Sequence, residues 1–236
     1  AMGSTHTASA AEQSITWANV CVLTGLSRAA LAALGIRPGS AVLPARDRVG
    51  PVLLGPADDP LVAAWTFDDR MGVVALLRLV ATLQERNAQP ARPLLIAFTV
   101  QEETGGHGAK LVALRERPEV FIAIDGCPLP PGAPLSLDGR PGIWSKDRLT
   151  HYDHGLILAL SAAAQAAGTA LQPVVYDAAA SDASLVFAAG GAPRVACFGH
   201  VRDNSHGYEI ARLSVFDRVL DTLVQFVATW DGGSRP

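Results

Sequence analysis

The sequence reads as an α/β protein: a three-layer α/β/α sandwich built on a mostly parallel sheet, with a small β-rich subdomain ahead of it. Three observations predict this. From Leu61 onward, apolar runs alternate with stretches of helical periodicity, the pattern of a sheet with helices on its faces. The apolar runs are nearly continuous, as in strands covered on both sides. A length of 236 residues with 49% hydrophobic content is enough for one well-buried core and a small appendage.

Taken in order, residues 1–4 (Ala-Met-Gly-Ser) read as an expression scar and stand outside the fold. Residues 5–58 read as part of the small β-rich subdomain. ITWANVCVL, SAVLPARDRV and GPVLL are its β-like pieces. Between the first two, SRAALAALGIRPGS gives a short helix stopped by Gly35, with a turn at Pro38-Gly39. Ala57-Asp58-Asp59-Pro60 marks the boundary, so residues 59–236 form the α/β domain.

In that domain, Asp69–Asn87 has helical periodicity and a polar end. PLLIAFTV (93–100) predicts a strand buried on both faces, residues 105–117 a helix, and EVFIAID (119–125) a second buried strand. Residues 126–150 are loop-rich, with prolines at 128, 130, 131 and 134. A helix follows over 155–167 and a strand over 172–176. A short helix over 182–189 ends at Gly190-Gly191, and PRVACF (193–198) is a strand. The last helix starts near Ser214, with Asp217 as the partner in a capping-box arrangement. Its buried stripe is Phe216, Leu220, Leu223 and Val227.

Composition excludes some functions. Charged residues make up 17% and the net charge is −3, with no basic run to track a nucleic-acid backbone. Arg, Asp or Pro interrupts each apolar stretch before it reaches membrane-spanning length. Cys21, Cys127 and Cys197 form no CxxC pair. A sparse, odd count fits a reducing compartment, so a cytoplasmic protein is expected.

In open α/β sheets, ligands gather at the carboxyl ends of strands. Glu102-Glu103 follows the first buried run and Asp125 the second. Asp68-Asp69-Arg70 opens the first long helix, and His200 and His206 lie beyond the last buried strand. Carboxylates crowded there repel one another, and a divalent cation relieves that repulsion. Successive side chains at a strand end diverge, so one glutamate of the pair would bind metal and the other would act as general base. Taken singly, each residue has a plainer reading. Asp-Asp-Arg is commonly a helix cap with a solvated ion pair. Glu-Glu is commonly solvent-facing, a lone Asp is commonly a turn residue, and a lone His is commonly a surface or core residue. The metal reading rests on their coincidence at the ends of separate elements.

Thr66-Phe67-Asp68-Asp69-Arg70-Met71-Gly72, Val100-Gln101-Glu102-Glu103, Ala123-Ile124-Asp125, Ser181-Asp182-Ala183 and Ser205-His206 occur in this order. Together they resemble the cytosolic dinuclear-metal aminopeptidases, the glutamyl, deblocking and tetrahedral (TET) enzymes. The resemblance also takes in GLSRAALAALGIRPGSAV, which is similar to part of that family's inserted second domain. It implies a metal-dependent hydrolase of peptide or amide bonds that removes N-terminal residues from peptides. It implies that Asp68 bridges two metals, that Glu102 is the general base, that Glu103 and His206 complete one metal, and that Asp125 binds the other. Asp69 and Asp182 would support the site or face the substrate amine. The family pattern also implies a cis peptide after Asp68. The cofactor would be one or two divalent ions, zinc first, with cobalt or manganese as alternatives. The partners would be a peptide or small amide and further copies of the chain.

The sequence departs from the family at one place. The family's upstream His-x-Asp motif has no counterpart, since His6-Thr7-Ala8 lacks the Asp. The expectation is that the first strands and a helix of the family's catalytic domain are missing together with that ligand, the chain being either a fragment of such an enzyme or a naturally reduced member with a rebuilt site. His107, His151, His154 and His200 are the alternatives that would complete the Asp125 metal. Two other functions stay open: a metallo-amidohydrolase or deacylase of a small metabolite, and a catalytically degenerate relative that binds a ligand or partner.

Overall fold

The protein is described by a computed structural model covering residues 24, 26–43 and 50–233. The chain divides into two compact units, Ala1–Ala45 and Arg46–Pro236. In the first, the expected short helix is α1 (Arg28–Ala33). Ser27 caps it by accepting the Ala30 N–H at 3.2 Å. The chain then turns through Gly35 at φ +76°, and the Ser40 N–H closes the Pro38-Gly39 turn on the Arg37 carbonyl at 2.9 Å. ITWANVCVL and residues 44–49 lie outside the described residues, and residues 41–43 form no strand.

The second unit contains β1 (Val52–Leu54), β2 (Leu61–Trp65), α2 (Phe67–Glu85), α3 (His107–Glu116), β3 (Val120–Ile124), β4 (Cys127–Pro128) and β5 (Gly142–Lys146). It continues with α4 (His154–Ala166), β6 (Gln172–Val175), α5 (Asp182–Ala188), β7 (Arg194–Gly199), β8 (Val201–Asp203), β9 (Tyr208–Arg212) and α6 (Ser214–Thr229). β1, from GPVLL, pairs antiparallel with β2, so this piece of the expected subdomain joins the second unit.

Two sheets form, in the orders β3-β7-β5-β6 and β1-β2-β9-β8-β4. The first is mixed: β3/β7 and β5/β6 are parallel, and β5/β7 is antiparallel. It is the middle of three layers. Alternate side chains on its strands face opposite helices, as the pleat requires. Phe121, Ala123, Val195 and Cys197 meet Ala109 and Ala113 of α3 and Val186 of α5. Ile122, Ile124, Ala196 and Phe198 meet Leu79 of α2, Leu160 of α4 and Leu223 of α6. The three-layer expectation therefore describes the second unit.

The two sheets run into one another. β7 passes to β8 through His200, and β3 passes to β4 through Asp125 and Gly126. The parallel ladder crosses this seam: the Asp125 N–H donates to Phe198 O at 3.1 Å and the Cys127 N–H to His200 O at 2.8 Å. The seam is where the charged residues collect.

Two expectations need correction. PLLIAFTV forms no strand, and Leu95 and Val100 are 60% and 69% exposed. An apolar run becomes a strand only when a neighbouring edge pairs with it, and none does among the described residues. At α6, Ser214 and Asp217 do not form the expected box. Asp59 accepts the Ser214 N–H at 3.2 Å and its hydroxyl at 3.0 Å, while Asp217 pairs with Arg78 at 2.6 Å. The reciprocal box appears instead at α5, between Ser181 and Ser184. Of the expected α6 stripe, Leu220 and Leu223 are buried, beside Val215, Val219 and Phe226, while Phe216 and Val227 are half-buried. Among the described residues, no helix is long and apolar enough to cross a membrane.

The layers make a contrast measurable on α4. Leu160 is fully buried and Leu158 is 57% exposed. Leu160→Ala is expected to lower unfolding free energy by about 2–5 kcal/mol and Leu158→Ala by less than about 0.5 kcal/mol, read from urea denaturation.

Candidate metal centre

Four turns deliver the acidic side chains and one imidazole to the seam. Asp68 and Asp69 stand in the first turn of α2, behind Thr66 in the left-handed region at φ 65°. The peptide between them is cis, as the resemblance implied. Glu102 and Glu103 sit in a turn closed by the Gly105 N–H on Glu102 O at 3.0 Å and the Gly106 N–H on Gln101 O at 2.9 Å. Gln101, which aims Glu102, is also left-handed at φ 61°. Asp125 follows β3 directly. His206 occupies the β8–β9 turn at φ 62°.

Two groups of potential donor atoms result, and Asp68 belongs to both. Asp68, Glu103 and His206 form one, and Asp68, Asp69 and Asp125 form the other. Within each, the atoms lie within 4.8 Å of one another. His206 Nε2 is 3.1 Å from Asp68 Oδ2 and 3.4 Å from Glu103 Oε2. Two carboxylate oxygens with an imidazole nitrogen fit a zinc-like ion, and three carboxylates fit a harder divalent ion. The donor chemistry at the seam therefore suits the implied cofactor.

The electrostatics of the cluster agree. Burial, then the charges of Asp125 and Asp68, push Asp69 well above the usual carboxylate range. Asp125 is pushed up likewise by burial, then by Asp68 and Glu102. Glu102 rises to about 7, from burial first and then Asp182, Glu103 and Asp68. The carboxylates are held closer together than their own charges favour.

Arg202 and Glu209 are the residues that sequence reasoning missed. Arg202 is 2% exposed and Glu209 is fully buried. The Arg202 Nε donates to Glu209 Oε1 at 2.6 Å. Its Nη2 donates to Asp68 Oδ2 and, at 3.1 Å, to Ser205 Oγ. Glu209 Oε2 in turn accepts the Asp68 N–H at 3.0 Å. Burial opposes the charge on Arg202, but Asp68 and Glu209 outweigh it and hold its pKa above the usual value. Asp68 is thereby fixed at both backbone and carboxylate. The available signal was Val201-Arg202-Asp203, a basic residue just past an apolar run, since an arginine buried there requires a carboxylate partner. Gly126 belongs to the same packing: a β-carbon on it would run into the Arg202 guanidinium.

Asp182 lies at the start of α5 and accepts the Thr99 hydroxyl at 2.9 Å. Burial raises its pKa against the pull of Thr99 and Lys110. Gly106 packs on it so closely that a β-carbon would stand 2.8 Å from Asp182 Oδ1. Asp182 is thus beside Glu102 and outside both donor groups. Among the described residues, His107, His151, His154 and His200 join neither group. His200 is buried, 5.3 Å from the Phe216 ring, and burial followed by the Arg202 charge pulls its pKa down to about 3.

The chain belongs to the M42 glutamyl aminopeptidase family, whose profile matches residues 2–221. A curated relative from Acetivibrio thermocellus, named "Putative aminopeptidase", is 27% identical over 172 residues, or 70% of this chain and 51% of its own length. The TET aminopeptidase of Thaumarchaeota archaeon SCGC AB-539-E09 superposes with a TM-score of 0.69 at 17% identity, over 77% of this chain and 52% of its own. Aminopeptidase APDkam598 of Desulfurococcus kamchatkensis gives 0.68 at 22% identity, over 86% and 57%. The TET1 peptidase of Pyrococcus horikoshii, which can assemble into a tetrahedron or a large octahedral shell, gives 0.66 at 24%, over 76% and 53%. At these identities the structures establish a shared fold. The chain spans about half the length of the relatives it matches.

Two outcomes follow. Arg202→Met is expected to cost about 3–5 kcal/mol, because Glu209 keeps a buried charge without its partner. The double variant Arg202→Met/Glu209→Leu is expected to lose less than Arg202→Met alone, as read from urea denaturation. For His200, the folded state stays neutral down to pH about 3, while the unfolded chain takes up a proton below about 6.5. Stability is therefore expected to fall as pH drops from about 6.5 toward 3. His200→Phe is expected to flatten that slope in acid-unfolding curves.

Proposed function

We propose that this chain carries the metal site of an aminopeptidase that removes N-terminal residues from peptides. The observation that carries the reading is Asp68, one carboxylate shared by a Glu103/His206 group and an Asp69/Asp125 group, which is the arrangement that suits a bridging ligand. In the proposal Asp68, Glu103 and His206 hold one divalent ion, zinc first and cobalt or manganese as alternatives. Asp125 holds a second, with Asp69 beside it. A bound ion supplies Lewis acidity to the scissile amide carbonyl and to water.

Glu102 stands next to Glu103 and is hydrogen-bonded to neither donor group, so its carboxylate is available for proton transfer. It takes a proton from water as the oxygen adds to the amide carbon. It returns that proton to the nitrogen as the C–N bond breaks, so charge and atoms balance. Asp182, next to Glu102, and Asp69 offer negative charge for a protonated substrate amine. Arg202 and Glu209 are positioning residues that keep Asp68 oriented. Self-association is part of the proposal, by likeness to the TET1 assemblies, as is cytoplasmic residence, by cysteine usage.

A second reading has an observation in its favour. Arg202 already gives Asp68 a positive partner, which suits a relative that binds a peptide or small amide without cleaving it. Glu102→Gln separates the two. The aminopeptidase reading expects hydrolysis of aminoacyl p-nitroanilides to fall by at least about 10²-fold with the fold intact by circular dichroism, and expects chelator to abolish the wild-type rate. Absence of turnover in wild type saturated with zinc, cobalt or manganese, or equal turnover in Glu102→Gln, would overturn it.

A further inference from the structure

One fully buried acid is left unused by the proposed chemistry. Asp147 follows β5 and has no solvent contact. The neighbouring Lys146 ammonium bonds the Asp147 backbone carbonyl at 3.1 Å and stands 4.0 Å from Asp177, so the Asp147 carboxylate relies on neutral donors. The Leu149 and Thr150 N–H groups donate to Oδ1 at 2.8 and 3.0 Å. The Tyr152 hydroxyl donates to Oδ2 at 2.7 Å, and the Ser181 N–H reaches the same oxygen at 3.3 Å. Tyr152 Oη also lies 2.8 Å from Ser181 Oγ. A hydroxyl has one proton, and that of Tyr152 is committed to Asp147, so Ser181 donates to Tyr152. Ser181 Oγ in turn accepts the Ala183 N–H at 3.2 Å. Each proton along Ser181, Tyr152 and Asp147 thus has one place. The network ties the turn after β5 to the start of α5, and the Arg148 N–H adds a backbone tie to Ala179 O at 3.0 Å. The first residue of α5 is Asp182. Thr99 holds its Oδ2 at 2.9 Å, and it lines one cleft with Glu102, whereas Asp147, Tyr152 and Ser181 do not. After burial, the charge of Asp182 acts most strongly on Glu102.

We propose that Asp147, Tyr152 and Ser181 are positioning residues for recognition of a substrate's α-ammonium group: they fix the start of α5 so that Asp182 meets that group beside Glu102. The inference rests on the reading of Asp182 given under the proposed function and adds the residues that act through it. Stability does not select a carboxylate at position 147. A buried acid held only by neutral donors is costly to desolvate, and apolar side chains of similar volume would fill the same space at lower cost. A fully satisfied polar network fixes one geometry instead. Asp182 is where that geometry matters, because a displacement of about 1 Å at a group that orients substrate can cost on the order of 10²-fold in rate. Thr99 steadies the carboxylate of Asp182, and the network steadies the backbone that carries it.

The probes are leucinol and 4-methylpentan-1-ol, which differ only in the amine and are not hydrolysed. Binding of each to the zinc-saturated full chain is followed by calorimetry, and the ratio of the two Kd values is the amine preference. Asp182→Asn is expected to lower that preference at least about tenfold, as for a lost hydrogen bond to a charged group. Tyr152→Phe and Asp147→Asn are each expected to lower it at least about threefold, with circular dichroism unchanged. Tyr152→Phe keeps the ring and its volume, so it carries the test should Asp147→Asn not fold. In Tyr152→Phe/Asp182→Asn the loss is expected to equal that of Asp182→Asn alone, whereas a role confined to general stability would add to it. Absence of a preference in wild type, or a preference that Asp182→Asn leaves intact, removes the Asp182 reading and this proposal with it. A preference lost in Asp182→Asn but kept in Tyr152→Phe, or additive losses in the double variant, overturns this proposal alone.

Discussion

The structure depends on how negative charge is neutralised at the seam between its two sheets. Asp68, Asp69, Glu102, Glu103 and Asp125 meet where β3 and β7 give way to β4 and β8. The chain meets part of that repulsion itself. Arg202 sits among them with almost no solvent contact, tied to Glu209 and Asp68. A buried ion network of this kind contributes little net stability. It fixes geometry instead: Asp68 is held through its N–H by Glu209 and through its carboxylate by Arg202. The remaining acids, with Asp69 and Asp125 pushed above their ordinary range by burial and by neighbouring carboxylates, keep a repulsion that the proposed cation would relieve.

That division of labour links fold to site. The helix layer of α2, α4 and α6 provides a rigid base through Leu79, Leu160, Leu223 and Phe226. α2 presents Asp68 and Asp69 from its first turn, so packing far from the seam sets where these carboxylates stand. Three left-handed residues, Thr66, Gln101 and His206, lie at or just before site residues. Asn87, Arg117 and Asn204 share this conformation at other turns, so backbone strain of about 1–3 kcal/mol each marks sharp turns generally, three of which stand at the site.

What could be read from the sequence was what depends on local pattern. The helices at 67–85, 154–166 and 214–229 follow from periodicity, and the gathering of Asp68, the Glu102-Glu103 pair, Asp125 and a histidine follows from their places at the ends of elements, while the choice of Glu103 and His206 came with the family resemblance. What could not be read depends on distant partners. Residues 93–100 have a strand's composition, but strand formation is decided by an edge elsewhere in the chain. The cap of α6 comes from Asp59, far upstream, and not from the neighbouring Asp217. Arg202 and Glu209 lie in a polar stretch of sequence, and only the pairing of β8 with β9 beside β2 buries them together. His200 shared a segment with His206, yet the pleat turns it inward onto Phe216.

The central claim is that these acids are arranged around a divalent ion with Asp68 in the middle. Calorimetric titration of metal-stripped protein with Zn²⁺, comparing wild type with Asp68→Ala and with His206→Ala, tests it most directly. The account predicts stoichiometric binding by wild type, loss of all specific binding in Asp68→Ala, and loss of one class of site in His206→Ala while any Asp125 site persists. Zinc binding by a folded Asp68→Ala protein with wild-type affinity and stoichiometry would contradict it.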